Sequence, residues 1–165
     1  MADFETLYAQ YYDQIYCFCY RFLRCRESAK EVTQEVFIRL YERMGQKGPE
    51  VENSRAWLYK VAGNQSMNLK KKNARRQSIN AGLYESAEAS ASPEEVLIHR
   101  ENLERIKEII DQLKPRDKFL ILLYQEEMSY REMAVATGIP INSVGKTLWR
   151  IIDKIAKTLK NGDDA

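Results

Sequence analysis

Apolar positions along this chain recur every three to four residues and rarely every two, which predicts helices throughout. Phe4, Leu7, Tyr8, Tyr11, Tyr12, Ile15, Tyr16, Phe18, Cys19 and Phe22 fall on one face of a first helix. At that spacing the aromatic rings read as core, since each buries a large apolar area. A polar turn follows at Arg24 to Glu27. Ser28 with Glu31 three residues on forms a capping-box signature for a second helix. Its apolar side is Val32, Val36, Phe37, Leu40 and Tyr41, and Gly45 to Pro49 ends it. Asn53 or Ser54 caps a third helix, striped by Ala56, Trp57, Leu58, Val61, Ala62 and Met67.

The second half repeats the logic. Pro93 starts a helix with Glu94 and Glu95 in its first turn and Val96, Leu97, Leu103, Ile106, Ile109, Ile110 and Leu113 on its apolar face. Lys114-Pro115-Arg116-Asp117 interrupts it. Phe119 to Tyr124 is almost wholly apolar and must be substantially buried. From Ser129 to Arg150 the pattern is helix, glycine-centred turn, helix. Tyr130, Met133 and Ala134 share a face, Thr137-Gly138 ends the first helix, and Pro140 enters the second. Asn142 or Ser143 is the expected cap there, ahead of a Val144, Leu148, Ile151, Ile152, Ile155 stripe running to about Leu159. This is the helix-turn-helix pattern, whose second helix enters the DNA major groove; an ordinary helical hairpin is the alternative.

With 165 residues, the chain allows one domain or two small ones, and four Pro and seven Gly are too few for a turn-rich β protein. The expected fold is all-α: two small helical domains, 1–76 and 94–165, joined by a flexible acidic linker at 77–93. That linker holds Glu85 and Glu88, no Lys or Arg, and a run rich in Ser and Ala.

The net charge of +2 says little, but its distribution is informative. Lys70, Lys71, Lys72, Arg75 and Arg76 place five cations within seven residues, more than a helix dipole explains and suited to phosphates. Lys60 and the amides of Asn64 and Asn68 precede them, and amides can hydrogen-bond base edges. On the last helix, Asn142, Ser143, Lys146, Thr147, Trp149 and Arg150 lie off the apolar stripe, and Arg131 on the preceding helix is a phosphate candidate. The polar side of the second helix, with Glu31, Gln34 and Glu35, reads either as a solvated face or as a docking surface for a partner protein.

Other chemistries find little support. Cys17, Cys19 and Cys25 lack CxxC spacing and His99 is the single histidine, so no metal or cofactor is expected. Cys17 and Cys19, set among aromatics, read as small apolar side chains. No carboxylate pair, nucleophile triad or phosphate-cradling glycine loop stands out, so no catalytic activity is expected. Without a signal-peptide start or a run of ~18 apolar residues, the expectation is a cytoplasmic protein, not itself a membrane protein.

Taken together, the order of these features resembles bacterial sigma-70 family factors of the extracytoplasmic-function (ECF) type, over nearly the whole chain. AKEVTQEVFIRLYERM is similar to the family's region 2.2, SRAWLYKVAGNQSMNLKKKNARR to regions 2.3 and 2.4, and LKPRDKFLILLYQEEMSYREMAVATGIPINSVGKTLWRIIDKIAKTL to region 4. The resemblance implies docking on core RNA polymerase through Gln34, Glu35 and Phe37. It implies −10 element reading and melting by the third helix, with Asn64 at a loop-helix junction holding a flipped base and Asn68 one turn on. It implies −35 reading by Lys146, Trp149 and Arg150, and control by an anti-sigma factor, often membrane-associated. Two departures stand out. The family's frequent G-T-V-K-S-R is here Asn142-Ser143-Val144-Gly145-Lys146-Thr147, and Gly63 and Gln65 flank Asn64 where larger or apolar residues are frequent. A stand-alone helix-turn-helix regulator and a helical adaptor without a DNA role are the competing readings.

Overall fold

A computed structural model describes residues 2–46, 52–77 and 95–163; the side chains of 76, 77, 95–99 and 163 lie outside the description. The expected linker, apart from the helical backbone of Gln77, and the expected Pro93 helix start fall outside the described residues, as do the side chains of Arg76, Val96, Leu97 and His99. Among the described residues every regular element is a helix: α1 Phe4–Leu23, α2 Arg26–Gly45, α3 Ser54–Gln77, α4 Glu95–Asp111, α5 Pro115–Gln125, α6 Tyr130–Thr137 and α7 Ile141–Asp163.

Local chemistry sets the boundaries. The Asp3 carboxylate accepts from the Thr6 backbone N–H at 2.7 Å and caps α1. Arg24, left-handed at φ 55°, turns the chain so tightly that α2 begins at Arg26, with Cys25 as its N-cap and no side-chain cap bond. Ser28 is therefore already inside the helix, and the expected Ser28–Glu31 capping box does not form. Asn53 caps α3 as expected, its Oδ1 accepting from the Ala56 N–H at 2.9 Å. The capping box that does form is Ser129 with Glu132 on α6, whose Gly138 C-cap sits at φ 74°.

Helices α1–α3 bury Ile15, Phe18, Cys19 and Phe22 against Ala29, Val32, Val36 and Leu40 and against Leu58, Tyr59 and Ala62. Burial pushes the Cys19 thiol up to about 11, the state of an inert packing group, whereas Cys17 is exposed and does not serve as core. In the second half α5 is the inner helix: Phe119 to Leu123 are all buried, with α6 and α7 contributing Met133, Val144, Leu148 and Ile151. Tyr8, Tyr41, Leu103, Tyr124, Tyr130 and Ile152, expected on apolar faces, are exposed.

The two halves share one apolar core. The Phe119 ring reaches across to Phe18 and Phe22, with centroids 5.9 and 6.4 Å away, and its Cζ end is seated against Gly63 of α3. An added Cβ at Gly63 would stand 2.1 Å from the Phe119 Cζ. Polar groups ring this contact. Glu126 accepts from Arg21 at 2.8 Å and from the Tyr59 hydroxyl at 3.0 Å, and its backbone carbonyl accepts from Arg55. Asn53, having capped α3 with its oxygen, donates through Nδ2 to Glu132 at 3.3 Å, tying the start of α3 to the start of α6. Lys118 is fully buried, donating to the Phe22 carbonyl at 2.7 Å and to Asp111 at 2.9 Å.

Candidate nucleic-acid interface

Two exposed polar stripes stand clear of this shared core. The first is the outer face of α3, where Lys60, Asn64, Asn68, Lys71, Lys72 and Arg75 are all exposed. At 100° per residue these six fall within about one third of the helix circumference, and Lys60 to Arg75 spans ~22 Å of axis. Tyr59, Ala62, Gly63 and Ser66 are buried on the other side of the same helix. The basic cluster divides accordingly. Lys70 turns inward, half-buried, its Nζ 5.6 Å over the Phe22 ring, so it does not join the outer stripe. Asn64 lies mid-helix, ten residues after the first residue of α3, and not at a loop-helix junction as expected. Gly63 beside it is also mid-helix, and the space of its missing Cβ seats Phe119.

The second stripe lies on α7. Asn142, Lys146, Trp149 and Arg150 are exposed, Trp149 at 70% and Arg150 paired with Asp117 at 3.3 Å. Arg131 is exposed on α6. Ser143 and Thr147 are half-buried, and the Thr147 hydroxyl donates back to the Ser143 carbonyl at 2.8 Å. Asn142 and Ser143 do not cap the helix: α7 starts at Ile141, directly after Pro140, whose carbonyl accepts from the Ser143 N–H at 2.8 Å. Proline's fixed φ suits this first turn. Gly145 has a packing reason, for its absent Cβ would meet the Tyr130 ring at 3.3 Å, where α6 crosses α7. Glu132, at the head of α6, is held below the usual carboxylate range although burial alone would raise it. Hydrogen bonds from Ser129 and Asn53 and the Arg55 charge outweigh the burial.

A third surface lies on α2. Glu31 and Gln34 are exposed, and Glu35 pairs with Arg39 at 2.9 Å. Phe37 is 3% exposed, packed under Tyr8 and Tyr12 with centroids 5.0 and 5.6 Å away, and reaches the surface only where it lines a groove on this face. Its neighbours Ile38 and Tyr41 are exposed instead, at 53% and 65%. With Phe4, Tyr8, Tyr12, Gln34 and Phe37 they line an apolar groove of about 380 Å³. Ile38 lies off the apolar stripe of α2, and its signal in the sequence is an isoleucine among Glu31, Gln34, Glu35 and Glu42. A groove of about 320 Å³ between α2 and α3 brings Glu31 and Glu35 beside Asn68 and Lys72, so the docking and DNA candidates adjoin.

Among the described residues no helix is long and apolar enough to cross a membrane. Family models match most of the chain: Sigma-70 region 2 over residues 7–76 and Sigma-70, region 4, over residues 103–155. The chain is 27% identical to the RNA polymerase sigma factor YlaC of Bacillus subtilis, across 94% of its own length and 91% of that protein's. It is 28% identical to the ECF RNA polymerase sigma factor SigW of Bacillus subtilis, across 97% and 89%. Its fold is similar to that of the sigma factor RpoE from Bartonella quintana, solved in complex with the anti-sigma factor NepR. There the TM-score is 0.75, at 17% identity, covering 97% of this chain and 98% of that one. The region 2 match ends with the exposed stripe of α3, the region 4 match takes in the exposed stripe of α7, and the chain belongs to the sigma-70 family of RNA polymerase sigma factors, in its ECF branch.

Proposed function

We propose that this chain binds core RNA polymerase and directs promoter-specific transcription initiation. The observation that carries this reading is the placement of two separate DNA-suited stripes, on α3 and α7, in a chain whose halves match regions 2 and 4. Residues 1–76 form the unit that docks on polymerase and reads and melts the −10 element, and residues 94–165 form the unit that reads the −35 element. On α3, Lys60, Lys71, Lys72, Arg75 and Arg76 neutralise phosphates, while Asn64 and Asn68 offer amides to the edges of unstacked bases. On α6 and α7, Arg131 meets phosphate, and Asn142, Ser143, Lys146, Thr147, Trp149 and Arg150 face the major groove. Polymerase is held by Glu31, Gln34 and Glu35 together with the apolar groove at Ile38 and Tyr41; Phe37 supports that groove from beneath.

The protein performs no chemistry of its own in this scheme; it places the polymerase's. Joining two weak DNA readers in one chain raises the effective concentration of the second contact, so their combination specifies a promoter neither would. The work is done in the cytoplasm, where the polymerase acts. An anti-sigma factor is the expected regulatory partner, as for the Bartonella quintana protein of similar fold. The test is transcription from a host genomic library with sigma-free core polymerase. Discrete start sites that depend on this chain support the reading, and uniformly unselective RNA synthesis overturns it.

A further inference from the structure

A cavity of about 450 Å³ lies where the two halves meet, away from both exposed polar stripes apart from a shared edge at Lys71. We propose that it is a binding site for a small phosphate-dense anion of nucleotide size, such as a diphosphate-bearing compound. Four cations line it: Arg24 at the end of α1, Lys70 and Lys71 on α3, and Lys118 on α5. Among the lining residues one carboxylate, Asp111, faces them, divided between Arg24 at 3.0 Å and Lys118 at 2.9 Å, while Glu104 lies outside the cavity within electrostatic reach of Arg24. The cavity wall therefore carries a formal excess of three positive charges.

The local geometry favours an anion further. Two helices open onto this space, α2 through Cys25 and Ser28 and α5 through Pro115, and both begin without a side-chain cap bond. The two helix dipoles add positive potential at this wall, partly offset by the first-turn carboxylates Glu27 and Asp117; Pro115 itself has no N–H to offer. Lys118 and Lys70 both sit over the Phe22 ring, at 5.4 and 5.6 Å, so two ammonium groups crowd one aromatic face. Burial above all, with the nearby Lys70 charge, pulls Lys118 down to about 8 despite its bond to Asp111. Arg24 commits only Nε to Asp111 among the described residues, leaving its two terminal nitrogens to bridge phosphate oxygens. Leu23, Ala74 and Pro115 supply apolar wall, and the volume is in the range of ligand pockets.

Because the cations come from both halves, a bound anion fastens the first half to the second. The experiment uses the full chain and inorganic pyrophosphate, by titration calorimetry at neutral pH and low salt. One saturable site per chain is expected. Lys70→Gln and Arg24→Gln should each weaken it about tenfold, the loss of a charged hydrogen bond. Lys107→Gln, on the exposed side of α4, should leave it unchanged. At a hundredfold excess over Kd, the melting midpoint of the unaltered chain should rise by about 5–10 °C. Non-saturating heats, or equal weakening by Lys107→Gln, would overturn the proposal. Displacement of pyrophosphate by random-sequence duplex at equal phosphate concentration would assign the site to a nucleic-acid backbone, and would likewise overturn the small-anion source.

Discussion

Gly63 is the point at which the two halves can be prised apart with a single methyl group. The alanine Cβ would lie 2.1, 2.3 and 2.6 Å from three atoms of the Phe119 ring. Relief to ordinary carbon contact requires a ring displacement of about 1.4 Å. Phe18 and Phe22 stand beside that ring, and Phe119 is 2% exposed, so it has nowhere to slide within the core. Overpacking of this kind costs about 3 kcal/mol at the upper end of its usual range. Alanine returns about 1 kcal/mol through better helix propensity. The net loss of about 2 kcal/mol falls on the contact between the halves, a shift of about thirtyfold from closed toward separated.

Distance distributions between labels on α2 and α7, with thermal melts of the same samples, measure this. Gly63→Ala should broaden and lengthen the distribution and lower the melting midpoint. A double-mutant cycle with Phe119→Ala removes ambiguity. Once the ring is gone, the extra methyl meets open space and keeps only its helix advantage, so the sign of its effect should reverse. If Gly63→Ala leaves distances and melting unchanged, or remains destabilising beside Ala at 119, Phe119 is not seated on α3 as described.

Lys118 predicts a pH dependence. Its folded value of about 8 lies below the ordinary 10.5, so the unfolded chain binds the extra proton between them and stability rises with pH across that window, by up to about 1.4 kcal/mol per unit. Burial, with Glu126 alongside, raises the Tyr59 phenol above its ordinary 10.0, so stability falls again above that pH; melts should show a maximum between the limbs, and Lys118→Met should flatten the rising one. Ile38→Asp and Tyr41→Asp should each abolish co-purification with core polymerase while leaving the melt within about 0.5 kcal/mol, as exposed sites do; unimpaired binding would remove the groove from the docking surface. Asn64→Ala should reduce promoter opening, read by permanganate footprinting, more than it reduces binding to a −35 duplex, and equal losses would contradict its assignment to the −10 contact.

Periodicity made the helices legible because amphipathic spacing is a local property. The Gly138 turn, the Asn53 cap and the buried Phe119–Leu123 run all follow from residues within a few positions of one another. Features that depend on a distant partner were not legible. The burial of Lys118 was not legible, because one of its two acceptors, the Phe22 carbonyl, lies 96 residues away and the other, Asp111, sits across a helix break. Tyr59 lies off the apolar stripe expected on α3, yet it is buried, its ring packed edge-on against Phe18 of α1 and its hydroxyl reaching Glu126 beyond α5. The expected capping box at Ser28 failed for a nearer reason: Arg24 accepted a left-handed conformation that most residues avoid, and the helix began three residues early.

Gly63 was visible as a departure from the family pattern, but its meaning needed the other half of the molecule. This gives α3 two assignments at once. Its outer third presents cations and amides to nucleic acid, and its inner side is the floor on which α5 and α6 rest. A helix with one apolar stripe needs burial on one side only; α3 is buried on two and polar on the third, which is why its apolar periodicity is the least regular of the three helices in its half. The irregularity is itself the trace of the second contact. Any event that lifts Phe119 from Gly63 therefore bares an apolar strip on the helix proposed to hold the −10 strand, and the cost of that exposure, about 25 cal/mol per Å², couples the separation of the halves to whatever covers the strip next.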